Sequence, residues 1–96
     1  MDYFGISAKA GKIVSGTDLV LAEMKKQKVK LVIVATDASE KTKKNINYYC
    51  EKSNIECIVY GTIDELSKSI GKRNRAILGI EDQNLADTIK DKIINM

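Results

Sequence analysis

The sequence predicts one α/β domain in which helices cover both faces of a mixed, about four-stranded sheet. Two short runs rich in β-branched residues, within 30–35 and 55–60, have the composition of buried strands. A third apolar run spans 76–80, and helical patterns separate the three runs. Since no proline and no Ser/Gly-rich linker interrupts this order, residues 1–96 are predicted to form a single domain.

The lengths of the connections predict the directions of the strands. A helical segment separates the strands at 30–35 and 55–60, so these two should be parallel and joined by a right-handed crossover. The turn at 70–75 is shorter, and it should return the last strand antiparallel. Residues 12–14, between Gly11 and Gly16, are the candidate for a short edge strand.

Each predicted helix carries one apolar face. The residues that form these faces lie three, four, seven or eight positions apart. They are Val20 and Met24; Thr42, Ile46, Tyr49 and Cys50; Ile63, Leu66 and Ile70; and Leu85, Ile89 and Ile93. Two helix starts have the spacing of a capping box, Asp37 with Glu40 and Thr62 with Glu65.

Composition predicts a cytoplasmic protein without a membrane segment. No apolar run approaches the roughly 18 residues of a membrane span, and residues 1–4 lack the basic and then apolar order of a signal peptide. Cys50 and Cys57 are the only cysteines and do not form a CxxC pair, which favours two reduced, mostly buried thiols. The net charge of +3 is too small to indicate a polyanion partner, so the positions of the charged residues have to be considered as well.

The residues that would support an enzyme are missing from the sequence. No histidine occurs, which removes the commonest general base and the commonest metal ligand. Gly71-Lys72 does not complete a phosphate-binding loop, because Leu66 stands where that motif requires glycine. The doublet Glu81-Asp82 is better explained as a turn or helix cap. We expect no enzymatic activity, no cofactor and no metal.

Charge and helix starts converge on one edge of the predicted sheet. The first long strand ends near Thr36 and Asp37, and the helices on either side of that strand both begin at this edge. Free backbone N–H groups and partial positive charge at helix starts suit phosphate. The basic residues expected around this edge are Lys12, Lys41, Lys43, Lys44, Lys72, Arg73 and Arg75. Together they favour nucleic acid, although for any one lysine a solvated surface position is the better explanation.

The densest basic run, Lys25, Lys26, Lys28 and Lys30, has a structural explanation. It falls near the end of the helix that follows Gly16, where cations interact favourably with the helix dipole.

Three segments in the same order resemble the kink-turn RNA-binding ribosomal-protein superfamily, most closely its small bacterial YlxQ-type branch. They are 8–21 (AKAGKIVSGTDLVL), 30–39 (KLVIVATDAS) and 65–72 (ELSKSIGK). The resemblance covers essentially the whole chain. It implies a three-layer α/β/α sandwich with a mixed sheet, and an RNA site in which the start of the second helix enters a bent internal loop while the loop before the last strand packs on a flipped-out nucleotide.

By this resemblance, Gly16 lets the RNA backbone approach and Thr17 begins the helix beside it. The family has Asn and Glu where this chain has Asp18 and Leu19, and Ala22 replaces a frequent lysine. Losing these side chains should reduce base discrimination, since a good bidentate contact is worth about 1–3 kcal/mol. The loop 71–75, with Lys72, Arg73, Asn74 and Arg75, is more basic than its archaeal counterparts and should recover affinity through phosphate.

Two functions follow as alternatives. The first is non-enzymatic binding of structured RNA, ribosomal or regulatory, with preference for kink-turn-like bends, in a ribonucleoprotein or translation context. The second is a protein-interaction adaptor of ribosomes or translation factors, with Leu19 and the last helix as the contact surface. Exposure of Leu19 would suit either a partner or an unstacked base. No DNA or membrane partner is expected.

Overall fold

The computed structural model describes residues 11–95, and these form four strands and four helices. In chain order they are β1 (Ile13–Ser15), α1 (Thr17–Lys25), β2 (Leu31–Val34), α2 (Glu40–Ser53), β3 (Glu56–Val59), α3 (Ile63–Ser69), β4 (Ile77–Ile80) and α4 (Gln83–Ile94). The edge strand expected at 12–14 begins one residue later, at Ile13. The first residues of the family resemblance, 8–10, lie outside the described residues.

The sheet is mixed and its strand order is β1-β4-β2-β3. β2 and β3 are parallel, with Val34 opposite Val59, whereas β4 runs antiparallel to both β2 and β1. The short turn before β4 therefore returns the chain antiparallel, as predicted. The mixed four-stranded sheet expected from the sequence is confirmed.

Four connections meet at one end of this sheet, which we call the Gly16 end. Gly16 follows β1, Ala35 follows β2, Tyr60 follows β3 and Ala76 precedes β4. Backbone hydrogen bonds of 2.9 Å join Gly16 N–H to the carbonyl of Ile77 and Ala35 N–H to that of Ala76. Because α1, α2 and α3 all begin here, three helix starts lie at this end rather than the two that were expected.

The core lies between the sheet and the helices in a three-layer α/β/α sandwich. β2 and β4 are buried along their whole length, which explains their uniformly apolar sequences. α1 packs closely on β4, since a Cβ at Gly79 would lie only 3.1 Å from Val14 Cγ2 and 3.4 Å from Val20. α2 packs against α1, and α4 contacts β4. The close α1–β4 packing fixes the position of the helix start at Gly16.

The start of α2 differs from the prediction. Ser39, and not Asp37, is its N-cap, with a side chain that accepts a hydrogen bond from Thr42 N–H at 3.1 Å. Asp37 Oδ1 instead accepts from the backbone N–H of Ile63 at 2.8 Å, which ties the β2–α2 turn to the start of α3. The capping box of Thr62 and Glu65 is confirmed.

The two thiols lie against each other between α2 and β3. Cys50 is buried and Cys57 half-buried, and neither forms a disulfide. A hydrogen bond to the Cys57 sulfur and burial raise the pKa of Cys50, while the same hydrogen bond lowers the pKa of Cys57. Within residues 11–95, no helix has the length and apolar character needed to cross a membrane.

Candidate nucleic-acid interface

The start of α1 depends on the backbone freedom of Gly16. Gly16 has φ +92° and ψ 147°, a conformation that is essentially restricted to glycine. Its carbonyl accepts the first helical hydrogen bond, from Val20 N–H at 3.0 Å. No side chain in the described part of the chain caps this helix start. The N–H groups of the first turn therefore have no side-chain acceptor and are available to an anion.

The loop at 71–75 is folded back onto α3. Ser67, buried on α3, accepts a hydrogen bond from Arg75 N–H at 2.8 Å through its hydroxyl oxygen. Lys72 N–H donates to the carbonyl of the same serine at 2.8 Å. Left-handed conformations at Gly71 and Asn74 allow the chain to turn twice within this short segment. The loop is thus fixed at both ends by one residue of α3.

Gly16 and Arg75 meet at the Gly16 end of the sheet. Arg75 Nη1 lies 3.8 Å from the position that a Cβ on Gly16 would occupy. The Nε of Arg75 is buried and lacks a hydrogen-bond partner among the described residues. The structure therefore brings together the helix start and the basic loop, which are 59 positions apart in sequence (75 − 16 = 59).

A cleft of about 600 Å³ opens between the loop and α3. Its lining residues are Asp37, Ile63, Asp64, Ser67, Lys68, Lys72, Arg73 and Asn74. Lys68 forms an ion pair with Asp64 at 3.1 Å, whereas Lys72 and Arg73 are exposed and pair with no carboxylate among the described residues. Uncompensated positive charge is thus concentrated on the loop side of the cleft.

Thr36 and Asp37 lie at the same end but are engaged within the protein. The hydroxyl of Thr36 donates to the carbonyl of Gly61 at 2.8 Å, and Thr36 O accepts a hydrogen bond from Lys43 Nζ at 2.7 Å. One oxygen of Asp37 is used by Ile63 N–H. Both side chains therefore brace the connections that follow β2 and β3.

The remaining lysines divide between the two ends of the sheet. Lys41 is exposed in the first turn of α2, close to the Gly16 end. The structure does not bring Lys12 to this end, contrary to the expectation. The antiparallel register of β1 carries it to the far end of β4, where it pairs with Asp82 at 3.3 Å. There the N–H of Leu85 and, to a lesser extent, Lys12 lower the pKa of Asp82.

The first turn of α1 carries three side chains of different chemical character. Thr17 is partly buried and Asp18 is exposed, so the Asp18 carboxylate faces solvent beside the helix start. Leu19 is also exposed, at 48% of its maximum. An apolar side chain of this size in water favours a contact with another molecule.

Ser67 and the cleft that it helps to line were not among the features predicted from the sequence. A buried serine in the middle of an otherwise amphipathic helix was the available signal. Its backbone partner lies in the following loop and could not be inferred from helical periodicity. Within the described residues, no group of three or more cysteine, aspartate or glutamate residues could hold a metal ion.

Comparison with known proteins shows the family. The model of the ribosomal protein L7Ae/L30e/S12e/Gadd45 family matches residues 2–89. The chain belongs to this family. Two relatives, each called RNA-binding protein YlxQ, come from Enterococcus faecium and Bacillus subtilis (strain 168). Each is 34% identical, over 93 and 95 residues, and the alignments cover 97% and 93% of this chain and 89% and 92% of the relatives.

Two solved structures share the fold of this chain. A protein of unknown function from Bacillus halodurans C superposes with a TM-score of 0.91 at 28% identity, covering 96% of this chain and 93% of its own. A 15.5 kD RNA binding protein from Giardia lamblia superposes with a TM-score of 0.82 over 98% of this chain and 83% of its own. At 19% identity, the second likeness supports the fold alone.

Proposed function

We propose that this chain is a non-enzymatic, cytoplasmic binder of structured RNA that acts as one domain in a ribosomal or translation context. Its RNA-binding surface consists of the first turn of α1 and the loop 71–75. The YlxQ relatives carry the name RNA-binding protein, and this chain aligns with them over almost its whole length.

The proximity of the Arg75 guanidinium to Gly16 is the observation that carries the proposal. A glycine at the helix start allows an RNA backbone to approach to van der Waals distance of the main chain. The guanidinium 3.8 Å from the Cβ position of that glycine supplies charge and a planar fork of donors at the same place. A phosphate or a guanine edge can thus contact the helix start and the loop together.

The electrostatics of this surface favour the RNA backbone. The uncapped start of α1 carries a partial positive charge, and Lys72 and Arg73 add two full charges from the adjacent loop. Lys41 extends the basic surface along α2. Because these contacts are with phosphate, we expect binding that weakens steeply as salt increases.

The preferred target is a kink-turn-like bend in RNA. Asp18 can still accept hydrogen bonds from guanine N–H groups, whereas Leu19 cannot bond a base edge and instead offers an apolar contact for an unstacked base. Selectivity then depends on the shape of the RNA and on one acceptor. It should be lower than in relatives that keep both polar side chains.

A gel-shift titration with a kink-turn RNA and a straight duplex of equal length tests this proposal. We expect tighter binding of the kink-turn. Equal affinity for the two RNAs would remove the kink-turn preference, and absence of binding to either would overturn the RNA-binding proposal.

Substitution of the loop arginines tests the assigned surface. R73A/R75A should weaken kink-turn binding and flatten the salt dependence by about one unit of slope per lost phosphate contact. Compared with R73A/R75A, the variant R73K/R75K should restore the salt slope but not the full affinity. Lysine keeps the positive charge but lacks the planar, bidentate donors of the guanidinium group. K90A/K92A on α4 removes the same charge elsewhere and serves as the control. If it weakens binding as much as R73A/R75A does, the surface is assigned wrongly.

Exposure of Leu19 favours a second candidate function, that of an adaptor for ribosomal or translation proteins. The variant L19A separates the two. If Leu19 packs on an unstacked base, L19A weakens kink-turn binding in the purified system. If it packs on a protein, L19A leaves RNA affinity unchanged and abolishes ribosome association that survives ribonuclease.

A further inference from the structure

A second basic cleft lies at the other end of the sheet from Gly16. Its volume is about 680 Å³. The lining residues are Met24, Lys25, Gln27, Val29, Lys30, Tyr49, Lys52, Ser53, Asn54, Ile55 and Gln83. Three lysines line this space and no carboxylate of residues 11–95 does, so the described lining carries a single sign of charge.

The lysines of this cleft come from separate elements. Lys25 ends α1, Lys30 precedes β2 and Lys52 is in the last turn of α2. No carboxylate among the described residues pairs with any of the three, although Lys30 Nζ donates to the carbonyl of Gln27 at 3.5 Å. The neighbouring Lys28 differs, because its Nζ lies 4.0 Å from a Glu23 oxygen.

Helix dipoles do not account for all of this charge. The ends of α1 and α2 together contribute about one negative unit, since each helix carries roughly half a unit charge at its C-terminus. Three lysines exceed that by about two units. The run at 25–30 was assigned a structural role from the sequence, and that role leaves the convergence of Lys52 with Lys25 and Lys30 unexplained.

An aromatic pair borders the same cleft. Tyr49 lines it, and the exposed ring of Tyr48 packs edge-on against Tyr49 with a centroid distance of 5.2 Å and an interplanar angle of 80°. Lys52 Nζ lies 6.0 Å from the centroid of the Tyr48 ring. Tyr48 is 58% exposed, so much of its side chain faces water.

A positively charged groove beside an exposed aromatic ring is the arrangement that binds unpaired nucleic acid, in which phosphates follow the charge and a base stacks on the ring. We propose that this cleft binds a single-stranded RNA segment, with Lys25, Lys30 and Lys52 on its phosphates and Tyr48 under one base. The site is separate from the surface assigned above, because α1 extends about 13 Å from the Gly16 end to the cleft. The protein then holds two RNA segments, one folded and one unpaired.

A fluorescein-labelled twelve-residue oligouridine is the probe for this site, measured by anisotropy with the full chain. K25Q/K30Q/K52Q should weaken binding roughly tenfold at low salt and reduce the salt slope by about two, since a single strand contributes about 0.7 per neutralised phosphate. Y48A should weaken binding roughly tenfold with the salt slope unchanged, because stacking is not ionic. K90Q/K92Q on α4 removes lysines that belong to neither the cleft nor the Gly16 end, and it serves as the control. An equal loss of affinity per removed lysine in the two variants would overturn the proposal.

Photocrosslinking locates the contact independently of affinity. An oligouridine containing 4-thiouridine, irradiated on the protein, should label the peptide that contains Tyr48. Labelling confined to residues 71–75 would overturn the second site and assign the oligouridine to the Gly16 end.

A competition experiment separates this inference from the proposed function. Saturating kink-turn RNA should leave oligouridine binding in place, whereas displacement would show one shared surface and overturn the proposal. Oligouridine binding that requires the cleft supports the second site even if the kink-turn RNA fails to bind.

Discussion

The hydroxyl oxygen of Ser67 accepts a hydrogen bond of 2.8 Å from the backbone N–H of Arg75, and Ser67 is only 4% exposed. This bond holds the last residue of the basic loop against the middle of α3. It determines where the Arg75 guanidinium lies relative to Gly16, since the side chain extends from a fixed backbone position.

Replacing Ser67 tests this relationship. S67A leaves a part-buried N–H without an acceptor and should lower the free energy of unfolding by about 1–3 kcal/mol, measured in urea. S69A is the matched control, because the Ser69 hydroxyl donates a hydrogen bond to the carbonyl of Leu66 within the same helix and does not hold the loop. If the two variants are equally stable, the Ser67 bond does not hold the loop.

Substitutions at Asp37 distinguish a structural role, in which its carboxylate holds the start of α3, from a direct role in RNA binding. D37A removes the acceptor for Ile63 N–H and should cost about 1–2 kcal/mol of unfolding free energy. D37N keeps an oxygen in the same position and should recover most of that stability. It also removes a negative charge from the cleft at the loop, so RNA affinity should rise modestly. Weaker RNA binding by D37N would instead indicate a direct role for the carboxylate.

Glu81 predicts a pH dependence of stability. One of its oxygens is buried and has no hydrogen-bond partner within residues 11–95, and burial together with the neighbouring Glu23 raises the pKa of Glu81 from the ordinary 4.5. Because of this raised pKa, the Glu81 carboxyl group binds a proton more tightly in the folded state than in the unfolded state. Its contribution to stability is present below pH 4.5 and is lost as the pH rises through the folded pKa.

E81Q removes that titration. The variant should melt at a higher temperature than the parent protein at pH 7, and the difference should shrink as the pH falls below 4.5. Thermal unfolding followed by circular dichroism at both pH values provides the measurement. E51Q, on the exposed surface of α2, should change the melting temperature little at either pH. A constant gain for E81Q across the range would contradict the assignment.

The thiols predict selective alkylation. Iodoacetamide should modify Cys57 in the folded protein before Cys50, because Cys57 is half-buried with a lowered pKa while Cys50 is buried with a raised one. Mass spectrometry after limited labelling should find one adduct per chain, on the peptide containing Cys57. In C57A, labelling should require unfolding. Early labelling of Cys50 would show that α2 opens readily from β3.

Local pattern was sufficient to predict the sheet and its helices. Short apolar runs located β2, β3 and β4 to within one or two residues, and the Thr62–Glu65 spacing identified a real capping box. The same spacing failed at Asp37, because the competing partner, Ile63 N–H, lies 26 positions away and approaches only after β3 has paired with β2.

The candidate site was predictable only in part for the same reason. Lys12 was assigned to the wrong end because the direction of a three-residue edge strand depends on its partner, β4, and not on its own composition. The contact of Gly16 with Arg75 and the cleft formed by Lys25, Lys30 and Lys52 also depend on tertiary packing. The sequence shows which side chains are basic, whereas the pairing of the strands determines which of these side chains lie at the same end of the sheet.

The strand order β1-β4-β2-β3 couples ligand binding at the Gly16 end to the stability of the whole fold. The pairing of β1 with β4 joins a segment near residue 14 to one near residue 79, across almost the whole described chain. Closing so long a loop is slow, because its entropy cost comes before the contacts that offset it. A ligand that contacts both sides of this junction binds only the completed fold, so its binding free energy is added to the stability of the whole molecule.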